Sequence, residues 1–321
     1  MSQPSSKIYC FNPSSEEGNS SRDRTIFHYT SPDVLIKILS NTEIRFTDCQ
    51  FLNDRTEFNH MLEPLDAALY QLQPTLHNKD LERVIRAILT TDYKEDVFTL
   101  KENSPNGGLG FRLFPSRYYV FCASTDSDSL NMWNYYVKGG SYQGYNIGFS
   151  VNNIISSINN DNVDKVMFGP VVYDNKEKIT LLKALIRNVD QKIFERSRDN
   201  KSSDILTNDS VFMNAILTLG NYRLFFKNKV FEGEKEYRIV ILLNLPDEDS
   251  LGQDVKKGFS IKNGVVAPHL DLKITQESVK RINLSPMLEH ELAMVGIQAL
   301  LNEKKYKSSV DISSSSIPIR Y

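Results

Sequence analysis

Glu232-Gly233-Glu234-Lys235-Glu236-Tyr237-Arg238 runs directly into Ile239-Val240-Ile241-Leu242-Leu243, the clearest strand in the chain. A short apolar, β-branched run of this length reads as a buried strand. Its charged front end is harder to explain. In a strand Glu234 and Glu236 lie two apart and face the same side, and Arg238 extends that face. Two carboxylates on one face repel each other unless a cation or a reaction uses them. The plain alternative is a solvated edge with one salt bridge.

Strands and helices alternate on either side of this stretch. Residues 1–22 are rich in Ser, Asn and Glu and read as a flexible leader. Arg24-Thr25-Ile26-Phe27-His28-Tyr29-Thr30 favours a strand. Ser31-Pro32 then supplies a helix N-cap and a first-turn proline, followed by Val34, Leu35, Ile38 and Leu39 at helical spacing. Glu43-Ile44-Arg45-Phe46-Thr47-Asp48 alternates as a second strand. Asp54 and Glu57 have the spacing of a capping box ahead of Leu62, Leu65 and Leu69. Asn106-Gly107-Gly108 marks a loop over 101–110. Tyr118-Tyr119-Val120-Phe121-Cys122-Ala123-Ser124 reads as a buried strand, followed by polar residues 125–129. A short helix then holds Trp133, Tyr135 and Tyr136 and stops at Gly139-Gly140. Further strands are expected at 145–149, at 163–173 with a break at Gly169-Pro170, at 279–284 and at 308–319. Helices are expected at 177–198, 211–226 and 290–301. There is no internal repeat and no clean linker. Residues 23–321 are therefore expected to form one α+β domain with helical insertions.

The chain has 321 residues, 38 Lys+Arg against 40 Asp+Glu, 40% apolar and 24% charged residues. That composition is globular, and the length suffices for a core without staples. No apolar run approaches a membrane span, and the N-terminus lacks the layout of a signal peptide, so a soluble cytoplasmic protein without membrane partners is expected. Cys10, Cys49 and Cys122 form no CxxC pair, which excludes a thiolate zinc site and fits a reducing compartment. His290-Glu291 resembles the opening of a zinc-protease helix, but Met294 stands where the second His belongs, so no metal is expected. GxSxG and P-loop motifs are absent, as is a dinucleotide-binding GxGxxG. Near-neutral charge removes the simplest case for nucleic-acid binding but leaves a local basic face open.

Several polar and aromatic residues sit at the ends of the strongest strands. His28 falls within an otherwise apolar strand, where a hydrogen-bonded core histidine is the bland reading. Trp133 and Tyr136 are three apart on one helix face, as core aromatics often are. Asn53, Asp54 and Glu57 could simply lead a chain into a helix.

Taken in order, Phe27-His28-Tyr29-Thr30-Ser31, Asn53-Asp54-Arg55-Thr56-Glu57, Trp133-Asn134-Tyr135-Tyr136, Gly144 to Gly148-Phe149, Glu234-Lys235-Glu236-Tyr237-Arg238 and Ser316-Ile317-Pro318-Ile319-Arg320 resemble a bacterial family catalogued as a domain of unknown function. That family is itself similar to the ADP-ribosyltransferase-like superfamily. The resemblance implies a split β-sheet with an NAD cleft and a His–Tyr–Glu type triad, with NAD as substrate. His28 would bond the NAD ribose hydroxyls, with Tyr29 and Thr30 beside it and Asn53 as a further NAD-binding donor. Glu236 would contact the nicotinamide ribose, and Glu234 would be the accessory glutamate of a Glu-x-Glu pair. Tyr136 fits the aromatic that packs on nicotinamide, with Trp133 or Tyr29 as substitutes.

The residue types suit that chemistry. Breaking a nicotinamide–ribose bond develops positive charge at the ribose, as glycoside hydrolysis does, and a fixed carboxylate stabilises it. Arg238 or Arg45 would pair with the pyrophosphate. The leading expectation is an intracellular ADP-ribosyltransferase with a toxin-like or anti-phage role, restrained by an antitoxin or other regulatory protein. Its acceptor would be RNA, DNA or protein. Nucleic acid ranks slightly ahead because Lys227-Asn228-Lys229 and Lys256-Lys257 lie near aromatics. An NAD glycohydrolase with the same site, and a non-enzymatic nucleotide-binding or interaction module, are the alternatives.

Overall fold

The strand after Glu234-Lys235 spans Glu236–Asn244 and is buried over most of its length. Period-2 alternation turns Tyr237, Ile239, Ile241 and Leu243 into the main core, while Glu236 and Arg238 face the other way. The computed structural model describes residues 9–11, 24–53, 60–79, 81–82, 85, 116–137, 143–158, 163–199, 219, 221–244, 255–262, 264–306 and 310–318. The Asp54/Glu57 capping box, the 101–110 loop, the Gly139-Gly140 stop, Arg320 and most of the leader lie outside these residues.

The chain divides into two compact units. One comprises Met1–Leu52, Arg117–Pro170 and Glu232–Tyr321, and the other comprises Asn53–Ser116 and Val171–Phe231. Each is described by itself.

The first unit is a mixed α+β unit built on a large sheet. Its strands are β1 (Tyr9–Phe11), β2 (Thr25–Thr30), β3 (Glu43–Asp48), β4 (Ser116–Ser124), β5 (Tyr145–Ser150), β6 (Val163–Pro170), β7 (Glu236–Asn244), β8 (Val255–Lys262), β9 (Val265–Lys273), β10 (Val279–Leu284) and β11 (Asp311–Ser314). The main path runs β1-β6-β7-β4-β2-β5-β10-β11, and a branch runs from β4 through β3 and β9 to β8. The branch point positions the site. Beyond β7, β4 is shared by two strands: β2 meets it at Phe27↔Ser124, and β3 meets it at Thr47↔Val120 and Asp48↔Tyr119. Residues 121–123 lie between these two pairings, so the sheet forks there.

Helix α1 (Pro32–Asn41) forms where expected. Leu35, Ile38 and Leu39 bury one stripe against the core, and Thr42 ends it in the left-handed region at φ 51°. Ser31 occupies the N-cap, yet its side chain makes no capping bond. Helix α3 (Leu130–Tyr136) packs its buried Met132 and Trp133 against Phe27 and Tyr29, the opposite face of β2 from Ile26. Helices α4 (Val151–Ser157) and α6 (His290–Glu303) complete this unit. Helix α4, strand β8 and the Tyr9–Phe11 strand were not expected. The last strand is confined to Asp311–Ser314, shorter than the expected 308–319.

In the second unit, α2 (Leu62–Leu72) and α5 (Asn175–Asp199) pack through Leu65, Leu69, Leu182 and Ile186. Buried Asp190 accepts bonds from the His77 ring and from the backbone N–H groups of His77 and Asn78, securing the chain after α2. The helix expected over 211–226 ends differently: Tyr222–Phe225 is a 3-10 turn, and Phe226 bridges to Val172. No described helix is long and apolar enough to cross a membrane.

Candidate functional site

Two strands that share an edge and then diverge leave a gap between them, and a cavity of about 240 Å³ occupies it. His28 and Tyr29 of β2, Arg45 and Thr47 of β3, Cys122 of β4, Tyr136 of α3, Glu234 and Glu236 all line it. A second cavity of about 290 Å³ shares His28, Arg45, Thr47 and Phe121 with the first.

The two glutamates reach the same cavity by a route that plain strand alternation did not foresee. Glu234 is the last residue of a 3-10 turn, Lys229–Glu234, rather than part of the strand. Lys235 follows at φ 42°, and β7 begins at Glu236. Both carboxylates are buried. Glu236 is gripped by fully buried Arg238, whose Nε and Nη2 donate to its two oxygens at 2.9 and 3.1 Å. A bidentate guanidinium fixes both the charge and the plane of a carboxylate. Glu234 accepts a bond from the Tyr136 hydroxyl at 3.2 Å. Burial, followed by the charges of Glu234 and Glu236, pushes the Tyr136 phenol well up, so it stays a donor. Burial and then the Glu236 charge likewise raise the Cys122 thiol, which bonds to Glu236.

His28 Nδ1 lies 3.3 Å from the carbonyl oxygen of Cys122, across the mouth of the fork. A carbonyl only accepts, so Nδ1 carries the proton and Nε2 is left as an acceptor. Burial lowers the His28 pKa, the Cys122 bond opposing it, which keeps the ring neutral near pH 7.

The remaining candidates fall elsewhere. Trp133 is fully buried and donates from Nε1 to Asp128 at 2.9 Å. Tyr29 touches the cavity, but its hydroxyl donates to the Asp126 carbonyl at 2.8 Å and accepts from the Ser129 N–H at 2.9 Å. Thr30 is buried and does not line the cavity. Asn53 belongs to the second unit, where it accepts from Lys227 Nζ at 3.1 Å. Both arginines offered for a pyrophosphate are held by carboxylates, Arg238 by Glu236 and Arg45 by Asp271 at 2.7 and 2.8 Å. The cation that sequence reasoning missed is Lys262, which lines the cavity from the end of β8. Cys122 was also missed as a site residue; its place two residues before Ser124, at the end of an apolar strand, was the available signal. No group of three or more His, Cys, Asp or Glu among the described residues is arranged to hold a metal.

Residues 132–239 match a family model described as "Protein of unknown function (DUF2971)". That stretch is about a third of the chain and takes in Trp133, Tyr136, Glu234, Glu236 and Arg238, but not β2. Neither a curated protein nor a solved structure matches the chain.

Proposed function

We propose that the protein is an NAD-dependent ADP-ribosyltransferase whose reaction centre is the fork at β4. The observation that carries this reading is the convergence there of a neutral histidine and two buried carboxylates, one of them locked by a buried arginine. The two adjoining cavities have the size and polarity range of a small-molecule cleft able to take an elongated dinucleotide. His28 Nε2 accepts a ribose hydroxyl, and Lys262 supplies the positive charge a pyrophosphate needs. Glu236 lies where positive charge develops at the ribose carbon, already oriented by Arg238, so little reorganisation is required as the bond breaks. The ribose–nicotinamide bond breaks with its electron pair leaving on nicotinamide. A heteroatom of the acceptor bonds to the same carbon, and its proton passes to Glu234, which Tyr136 orients. Arg238 is a positioning residue in this scheme rather than a phosphate ligand.

The test is NAD labelled on its adenylate phosphate, incubated with wild type, Glu236→Gln and Glu234→Gln in a cell lysate. Thermal melts of each protein confirm folding. Label on a macromolecule with wild type, lost in folded Glu236→Gln, supports the transferase. Free ADP-ribose without labelled polymer reassigns the site to hydrolysis. Undiminished turnover by folded Glu236→Gln refutes the assignment.

A further inference from the structure

The segment that follows β11 is joined to the reaction centre by a relay of hydrogen bonds. It begins at Asp128, in the loop between β4 and α3, whose carboxylate accepts four bonds. Ser315 Oγ donates to Oδ1 at 2.6 Å, and the Ser316 N–H and Oγ donate to Oδ2 at 2.8 and 3.1 Å. The fourth bond comes from Trp133 Nε1. Ile317 is fixed alongside, packed against the cluster of Phe27, Tyr29, Met132, Trp133 and Val137. Three of the four donors thus belong to the segment after β11, and those three keep Asp128 in place when the indole bond is lost.

From Asp128 the relay runs to Glu234 along two lines. In the first, the Asp128 N–H donates to Asp126 Oδ1 at 3.2 Å, and Asp126 Oδ2 meets the Lys235 ammonium at 2.9 Å. In the second, the Asp126 N–H donates to Ser124 Oγ at 3.1 Å, and Ser124 Oγ donates to the Glu234 carbonyl at 2.7 Å. The Thr125 N–H adds a bond to the Lys235 carbonyl at 2.8 Å. Lys235, at φ 42°, is the left-handed residue between the two glutamates. A residue in that region persists only where its surroundings over-determine it. The two carboxylates therefore depend on different supports. Glu236 is held within β7 by Arg238, whereas Glu234 is aimed by a turn whose anchors depend on Asp128.

We infer that Asp128 is a positioning residue for the reaction, and that the segment Ser315–Ile317 sets the rate by holding it. This rests on the transferase reading for the step affected, the passage of the acceptor proton to Glu234. The coupling from the segment to the turn is measurable without NAD. His28 and Lys262, which hold the dinucleotide in that reading, lie outside the relay, so the effect falls on kcat and not on KM.

The test uses the full chain carrying Ser315→Ala/Ser316→Ala, with Ser315→Thr/Ser316→Thr as the conservative control that keeps both hydroxyls. Ser316 is exposed and Ser315 half-buried, so neither change enters the core. Amide hydrogen exchange is followed first, without NAD. In the alanine variant it should quicken about tenfold at Thr125 and Lys235 while Ile241, within β7, keeps its wild-type rate. Nicotinamide release should then show kcat lowered about tenfold with KM unchanged. Threonine should restore both. Exchange that is unchanged at Thr125 and Lys235, or that quickens equally at Ile241, overturns the inference. So does a wild-type kcat, or a loss that threonine does not restore. Should the double variant not fold, Ser316→Ala, which removes one exposed hydroxyl, carries the same test. If wild type releases no nicotinamide, the transferase reading falls, and exchange alone decides whether the segment holds the turn.

Discussion

Replacing Arg238 with Met leaves the Glu236 carboxylate buried without its bidentate partner. Arg238 is fully buried and the Glu236 side chain is only 7% exposed, so water cannot substitute for the guanidinium. Breaking a buried pair by removing one partner costs about 3–5 kcal/mol, most of it the burden of the stranded charge. At roughly 2–4 °C per kcal/mol for a unit of this size, Tm falls by about 6–20 °C. The stranded carboxylate then takes up a proton more readily folded than unfolded. Its pKa in the variant rises above the unfolded value, so the deficit narrows as the pH falls through that raised pKa toward the unfolded one. Adding Glu236→Gln removes the charge and should restore at least half of the loss. Urea unfolding of wild type, both single variants and the double variant, at pH 7 and at pH 5, closes the cycle. A single-variant cost below about 1 kcal/mol, or a double variant no better than Arg238→Met, would refute the claim that Glu236 is a buried anion held by Arg238.

Tyr136→Phe removes only the hydroxyl that orients Glu234. NAD turnover should fall about 10- to 100-fold with little change in KM and no loss of fold, measured by nicotinamide release. Trp133→Phe should cost about 1.5–3 kcal/mol through the lost bond to the Asp128 carboxylate. In protein that remains folded its turnover should stay near wild type, because the ring is in the core and not at the cavity; a selective rise in KM would return Trp133 to the nicotinamide site. His28 sits below its ordinary pKa of 6.5, so its contribution to stability is full above 6.5 and is lost as the pH falls from there toward the lowered value. The acid limb of kcat/KM should lie below 6.5 and disappear in His28→Asn; a limb above 6.5 would contradict a neutral, half-buried ring.

Much of the fold was legible because its strongest signals are periodic. The 2-residue alternation of β3, the helical spacing of Leu35, Ile38 and Leu39, and the apolar run of β7 each appear close to where they were read. Strand β8 was invisible for a physical reason. Three lysines and a glycine break its pattern, and Phe259 and Ile261 face solvent, so Val255 alone carries an apolar burial signature. The site was legible in parts. Glu236 and Arg238 face one way by simple alternation, and they do pair. Glu234 arrives at the same cavity through a turn, which spacing alone cannot reveal. Trp133 and Tyr136 share a short helix, but only contacts made across the fold decide that the first is anchored in the core and the second meets a carboxylate.

The turn that brings the two glutamates together is itself a strained element, and the polar loop before α3 explains how it persists. A left-handed lysine costs about 1–2 kcal/mol, so the surrounding structure must hold it. The Lys235 carbonyl accepts from the Thr125 N–H at 2.8 Å, its N–H donates to Glu232, and its ammonium meets Asp126 at 2.9 Å. Ser124 Oγ donates to the Glu234 carbonyl at 2.7 Å, gripping the other flank. The same loop receives the Tyr29 hydroxyl, and Asp128 binds Trp133, Ser315 and Ser316. Burial works to raise the Asp128 pKa, but those bonds outweigh it and hold the carboxyl below its ordinary value. Residues 125–129, which read in the sequence as a merely polar connection, therefore tie β2, α3 and the segment after β11 to the one backbone conformation that aims Glu234 and Glu236 into a common cavity. The aromatics of the Phe27-His28-Tyr29 and Trp133-Asn134-Tyr135-Tyr136 motifs earn their place through that loop: Tyr29 and Trp133 brace it, and Tyr136 reaches past it to the carboxylate it helps to place.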